Sequence, residues 1–169
     1  FSIIKEEEVH SVSVVPTFLQ YLNNYYADEE VPDTSSLQHV ICGAGPLTIK
    51  VAKTFEERFD IPIIHGYGLS ETTCYSCFLP IDLNEEEHKK WIADYGYPSI
   101  GVPIPANEMA IHDKDGNDLE EEERGEIVIR GVNVMLKYYN NREANEETFK
   151  NGWFRSGDEG FYVNDEEGR

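Results

Sequence analysis

A chain of 169 residues, 40% of them hydrophobic, can bury one sizeable core or two small lobes. With 33 acidic against 14 basic residues the net charge is −19, which excludes the basic footprint that nucleic acid and anionic membrane surfaces require. No run of about 18 apolar residues is present, so no transmembrane segment is expected.

Residues 1–8 lack the basic and apolar regions of a signal peptide and read as the tail of a helix, with Phe1 and Ile4 on one side. They also lack an initiator Met, so the chain is expected to be a piece of something longer. Residues 9–15 are Val-rich and predict a strand. Pro16 then opens a helix whose Phe18, Leu19 and Leu22 suit one buried face. Residues 37–42 predict a second strand, and Gly43-Ala44-Gly45-Pro46-Leu47 a tight turn into a helix with Val51, Ala52, Phe55 and Phe59 at helical spacing. Residues 61–64 predict the third strand. Strand, helix, strand, helix, strand is the pattern of right-handed parallel α/β units. Ligands in such sheets collect at the carboxyl ends of the strands, where Gly43-Ala44-Gly45 and Gly66-Tyr67-Gly68 both fall.

From Cys74 the character changes. Residues 84–93 predict an exposed helix, residues 107–112 and 126–130 alternate as strands, and Asp115-Gly116 is a hairpin turn signal. A short helix over 142–149, with Asn141 as its cap, precedes a strand over 153–163 and a turn over 164–168. The expected division is a partial parallel α/β lobe over 1–95 and a β-rich, distorted-barrel-like lobe over 96–169. Cys74-Tyr75-Ser76-Cys77 has redox or zinc spacing but no second cysteine pair beside it. Reduced thiols in a cytoplasmic protein are the expectation for Cys42, Cys74 and Cys77. The five histidines lack ligand spacing, and no structural metal is expected.

The most informative stretch is Ile61-Pro62-Ile63-Ile64-His65-Gly66-Tyr67-Gly68-Leu69-Ser70-Glu71-Thr72-Thr73. Glycines after a strand let backbone approach a ligand and adopt φ values other residues avoid. Ser70 can cap a following helix, whose N-terminus suits a phosphate, and Glu71 offers the hard oxygens that Mg²⁺ prefers. With the aromatic face of Tyr67 this outlines a nucleotide site. A strand, a glycine turn and a capped helix also occur in α/β proteins that bind nothing.

Four stretches together resemble the adenylate-forming (AMP-binding) enzymes, the superfamily of acyl- and aryl-CoA synthetases, luciferases and peptide-synthetase adenylation domains. They are Gly43-Ala44-Gly45-Pro46-Leu47, Gly66-Tyr67-Gly68-Leu69-Ser70-Glu71-Thr72, Gly125-Glu126-Ile127-Val128-Ile129-Arg130-Gly131 with Val134 and Tyr138, and Gly152-Trp153-Phe154-Arg155-Ser156-Gly157-Asp158. The resemblance spans essentially the whole chain, in the family's order and spacing. It implies that Tyr67 stacks on adenine, with Gly66 and Gly68 beside it, and that the backbone of Gly43, Ala44 and Gly45 borders the adenine and the acyl group. It implies that Ser70 hydrogen-bonds the α-phosphate, Glu71 holds Mg²⁺, and Asp158 accepts from both ribose hydroxyls; alone, Asp158 reads as a hairpin-turn aspartate. His65 either borders the acyl pocket, with Gly66 and Gly68, or is a core histidine. Glu126 reads as a solvent-facing strand residue.

The implied activity is that of an acid–CoA ligase: a carboxylic acid and ATP give an acyl-adenylate, and coenzyme A takes the acyl group. The alternatives are an adenylation domain that loads a carrier protein, and a non-catalytic interaction domain that keeps the fold. The family's phosphate loop and its C-terminal lobe with the adenylation lysine have no counterpart here. The isolated chain is therefore expected to be inactive and to self-associate through exposed apolar faces.

Overall fold

Short Val- and Ile-rich runs form the strands at 11–14, 39–42 and 125–131, and the structure, a computed structural model, describes all residues, 1–169. The chain divides into two compact units and passes between them three times. Residues 1–67 and 78–101 make the first, and residues 68–77 and 102–169 the second. The excursion 68–77 packs with the second unit, although it lies before the lobe boundary expected near Tyr95.

In the first unit α1 (Ser2–Glu6) leads into β1 (Ser11–Val14), and Pro16 starts α2 (Pro16–Tyr25) at its first turn, where its missing N–H costs nothing. β2 (His39–Cys42) is followed by α3 (Ile49–Phe59), whose N-cap Thr48 accepts from the Val51 N–H. β3 (Ile63–Tyr67) completes a parallel set in which Val14 pairs with Cys42 and Cys42 with His65, and β4 (Cys77–Phe78) follows β3 in the sheet. Leu19, Val40, Cys42, Ala52, Phe55 and Ile63 are almost fully buried. Such side chains contribute about 1.5–3 kcal/mol each when they are large.

Three sequence expectations need correction in this unit. Phe18 is 47% exposed, and with Tyr21 and Tyr25 it forms a stacked aromatic ladder over an open apolar groove of about 380 Å³. Helix 16–25 turns Leu19, Leu22 and Asn23 inward instead, and the Asn23 amide donates to the Val51 carbonyl of α3. β3 does not stop at Ile64; it carries on through His65 and Gly66 to Tyr67. α4 (Glu85–Ala93), capped reciprocally by Asn84 and Glu87, is exposed at its start but buries Trp91 and Ile92.

The second unit opens its C-terminal part with the two-residue β5 (Val102–Pro103). β6 (Asn107–His112), β7 (Gly125–Gly131) and β8 (Phe154–Gly160) then form an open antiparallel sheet, not a closed barrel. A tight turn follows β6: Gly116 has φ +89°, and Asp113 Oδ1 accepts from the backbone N–H of Asp115 and Asn117. Ile127, Val128 and Ile129 are buried in succession, so β7 is covered on both faces rather than alternating in and out. α5 (Arg142–Thr148) starts at Asn141, whose side chain accepts from the Ala144 N–H as the sequence predicts. No helix is long and apolar enough to cross a membrane.

Candidate functional site

Parallel pairing aligns the ends of two strands in the first unit. Cys42 lies opposite His65, so the turn beginning at Gly43 leaves the sheet at the same edge toward which Gly66 and Tyr67 run. The left-handed residue of the first turn is Ala44, with φ +59°, and neither Gly43 nor Gly45 has a positive φ. The glycines there keep the turn small; they do not supply its unusual conformation. Gly43 is buried, while Ala44 and Gly45 are exposed.

His65 is a core side chain. It is 6% exposed, its Nδ1 lies 2.8 Å from the Ser99 carbonyl oxygen, and burial holds its imidazole below the usual histidine range. Tyr67 ends β3 half-buried.

Across the peptide bond from Tyr67 the second unit begins. Gly68 is required by close approach: a Cβ there would meet the Cys74 carbonyl oxygen at 2.0 Å. The loop folds back on itself because Ser70–Thr72 form a single 3₁₀ turn, closed by left-handed Thr73 and Cys74 with φ +54° and +88°. Ser70 is the first residue of this turn rather than its cap. Thr72 does the capping, its hydroxyl accepting from the Leu69 N–H at 3.0 Å. A three-residue turn sums few aligned peptide dipoles, so any phosphate contact here falls to the exposed Ser70 hydroxyl and not to a helix end.

Glu71 is half-buried and fixed at two points. Its carbonyl accepts from the Met135 N–H at 2.7 Å, and its Oε1 accepts from the Tyr138 hydroxyl at 2.9 Å. The other carboxylate oxygen has no protein partner and is a hard donor suited to a divalent cation. Asn133 adds three further ties: its amide donates to the carbonyls of Thr72 and Tyr75, and its own carbonyl accepts from the Thr73 hydroxyl. The motif spacing pointed to Tyr138 but not to its partner, and nothing in the sequence singles out Asn133.

Asp158 sits exposed on β8, beside an irregularity in the β7–β8 register. Gly157 before it has φ +78°, a conformation that favours glycine. The Glu126 side chain holds this bend. It pairs with the Arg155 guanidinium, through Nε at 2.7 Å and through Nη2, and its Oε1 accepts from the Gly157 N–H at 3.0 Å. Ser156 completes the frame by donating to the Ile127 carbonyl and accepting from the Asp158 N–H. Glu126 is therefore a half-buried clamp, which corrects its reading as a solvent-facing strand residue. None of the three cysteines is in a disulfide; Cys42 and Cys77 are buried, and burial pushes the Cys42 thiol up to about 12.

Comparison with known proteins supplies the remaining facts. The family described as "AMP-binding enzyme" matches residues 1–139. The 2-succinylbenzoate–CoA ligase of Bacillus subtilis (strain 168) is 32% identical over 162 residues, which is 96% of this chain and 30% of that protein. The solved O-succinylbenzoate coenzyme A synthetase (MenE) of B. subtilis, in complex with ATP and magnesium ion, is 30% identical, with a TM-score of 0.77 over 99% of this chain and 32% of that one. The McyG A-PCP structure complexed with phenylalanyl-adenylate is 25% identical, with a TM-score of 0.84 over 96% of this chain and 30% of its own length. The chain thus spans about 30% of the length of the relatives it matches.

Proposed function

Because this chain belongs to the AMP-binding enzyme family, we propose that it is the nucleotide-holding part of an AMP-forming acid–CoA ligase. The parent enzyme would join a carboxylic acid to ATP as an acyl-adenylate, with release of pyrophosphate. It would then pass the acyl group to the thiol of coenzyme A, with release of AMP. From the first unit, Tyr67 stacks on adenine, and the backbone of Gly43, Ala44 and Gly45 borders the base and the acyl group. Gly66 and Gly68 keep the acyl side open, and His65 backs it from the core. From the second unit, Ser70 donates to the α-phosphate, Glu71 holds Mg²⁺, and Asp158 accepts from the ribose diol with its two carboxylate oxygens. Bound Mg²⁺ would act as a Lewis acid on the phosphate under attack. The chain's own part is positioning and charge stabilisation.

The observation that carries this reading is the Glu71 carboxylate, with one oxygen fixed by Tyr138 and the other without a protein partner, four residues after Tyr67. The CoA acceptor rests on the ligases among the relatives; the McyG likeness supports the second reading, an adenylation domain that loads a carrier protein. On its own the chain is proposed to bind nucleotide without turnover. Cytoplasmic residence is proposed from three cysteines that form no disulfide, and self-association from the Phe18–Tyr21–Tyr25 ladder. Titration calorimetry with AMP, on this chain and on Asp158→Ala, tests the reading. Binding that is lost in the variant supports it, and equal binding by both proteins overturns the ribose assignment.

A further inference from the structure

The loop that follows β7 returns to the 3₁₀ turn of Glu71 and ties down its backbone and its side chain together. Met135 N–H reaches the Glu71 carbonyl at 2.7 Å, and the Tyr138 hydroxyl reaches Glu71 Oε1 at 2.9 Å. Tyr138 is itself held by both ends of one amide: its N–H donates to Asn145 Oδ1 at 2.7 Å, and its carbonyl accepts from Asn145 Nδ2 at 2.9 Å. Asn145 lies on α5, and its own main-chain N–H donates to the carbonyl of the capping residue Asn141. A chain of hydrogen bonds therefore runs from a short helix to a single carboxylate oxygen.

Resting on the reading that Glu71 is the metal ligand, we propose that Tyr138, held by Asn145, is a positioning residue that occupies Glu71 Oε1 and presents the other oxygen alone to the cation. A carboxylate free to rotate could chelate a cation with both oxygens or swing away from it. A phenol donor on one oxygen removes both options before the nucleotide arrives, and so lowers the ordering cost of metal binding. Tyr138 is half-buried, so its hydroxyl is kept on Glu71 with limited competition from water.

The test uses this chain with Mn²⁺ as the probe cation and AMP as the nucleotide. Wild type is compared with Tyr138→Phe, Asn145→Ala and Glu71→Gln, with denaturant unfolding as a check on folding. Two results are expected. Mn²⁺ tightens AMP binding in wild type. Tyr138→Phe and Asn145→Ala each lose roughly fivefold of that metal-dependent gain, while affinity for AMP without metal stays unchanged. If Glu71→Gln loses the metal gain while Tyr138→Phe keeps all of it, the positioning role is overturned and the metal-ligand reading stands. If wild type gains nothing from Mn²⁺, or Glu71→Gln gains as much as wild type, the metal-ligand reading falls and the inference falls with it.

Discussion

The two units fix their candidate site residues by different physics. In the first, the turn after β2 and the end of β3 are placed by the core beneath them: Cys42 and Ile63 are 0% exposed, and His65 is 6% exposed. In the second, Glu71 and Asp158 are placed by polar straps, from Tyr138, Met135 and Asn133 on one side and from Glu126, Arg155 and Ser156 on the other. Burial is redundant, because many side chains share one apolar space and each can give a little. A strap is specific, because one acceptor oxygen serves one donor and its removal leaves a defined group unpaired. The first unit should thus respond to volume, and the second to single polar atoms.

The largest effect expected is in the first unit. Phe55 is 2% exposed and stacks on Phe59 at 4.7 Å between ring centroids. Phe55→Ala should cost about 3–5 kcal/mol in denaturant unfolding, a large share of the roughly 5–15 kcal/mol of a typical domain. A loss below about 1 kcal/mol would mean that the site edge of this unit does not depend on its core.

This contrast also explains what the sequence made legible. The parallel α/β order was readable because period-2 and period-3.6 patterns report burial, and burial is what builds the first unit. Phe18 misled because an aromatic at a helical core position says nothing about which neighbour covers it; in this chain it is stacked on Tyr21 and half-exposed. Glu71 and Asp158 were marked by their motifs, but their supports were not. Tyr138 lies 67 residues from Glu71, and Glu126 lies 29 from Arg155, so no local pattern records either pair. Ser70 read as a cap because a hydroxyl before a polar run has that signature, whereas Thr72 performs the role within a turn only three residues long. The transfer of 68–77 to the second unit has no sequence signal either, since it is made by hydrogen bonds to the loop after β7.

A smaller effect on stability, but a specific one on binding, is expected at the Glu126 clamp. Glu126→Ala leaves Arg155 without its carboxylate and the Gly157 N–H without its acceptor, at about 1–3 kcal/mol in denaturant unfolding. Under the proposed role of Asp158, AMP affinity should fall with it. Glu126→Gln keeps an oxygen for Gly157 and should recover much of both losses. If Glu126→Ala binds AMP as wild type does, the bend does not need its strap and the contrast between the units weakens.

The smallest effect is one of pH, and it too separates the units. Burial first, against the opposing hydrogen bond to Ser99, holds the His65 imidazole below its ordinary value of 6.5. The unfolded chain therefore takes up this proton as pH falls through about 6.5, while the folded chain resists it. Stability is full above that value and declines as pH drops from it toward the lower folded value. The resolved carboxylate shifts of the second unit act only in more acid solution: hydrogen bonds from Asn117 and Arg169 hold Asp113 and Asp165 below their ordinary 3.8, so they add stability above that value and lose it below. Denaturant midpoints between about pH 7.5 and about pH 5 should thus decline in wild type and flatten in His65→Gln, whose amide can still donate to the Ser99 carbonyl. An equal decline in both proteins would show that the imidazole is not held neutral by the core. The strand end at Gly66 would then depend on polar contacts as much as Glu71 does, and the two units would no longer differ in kind.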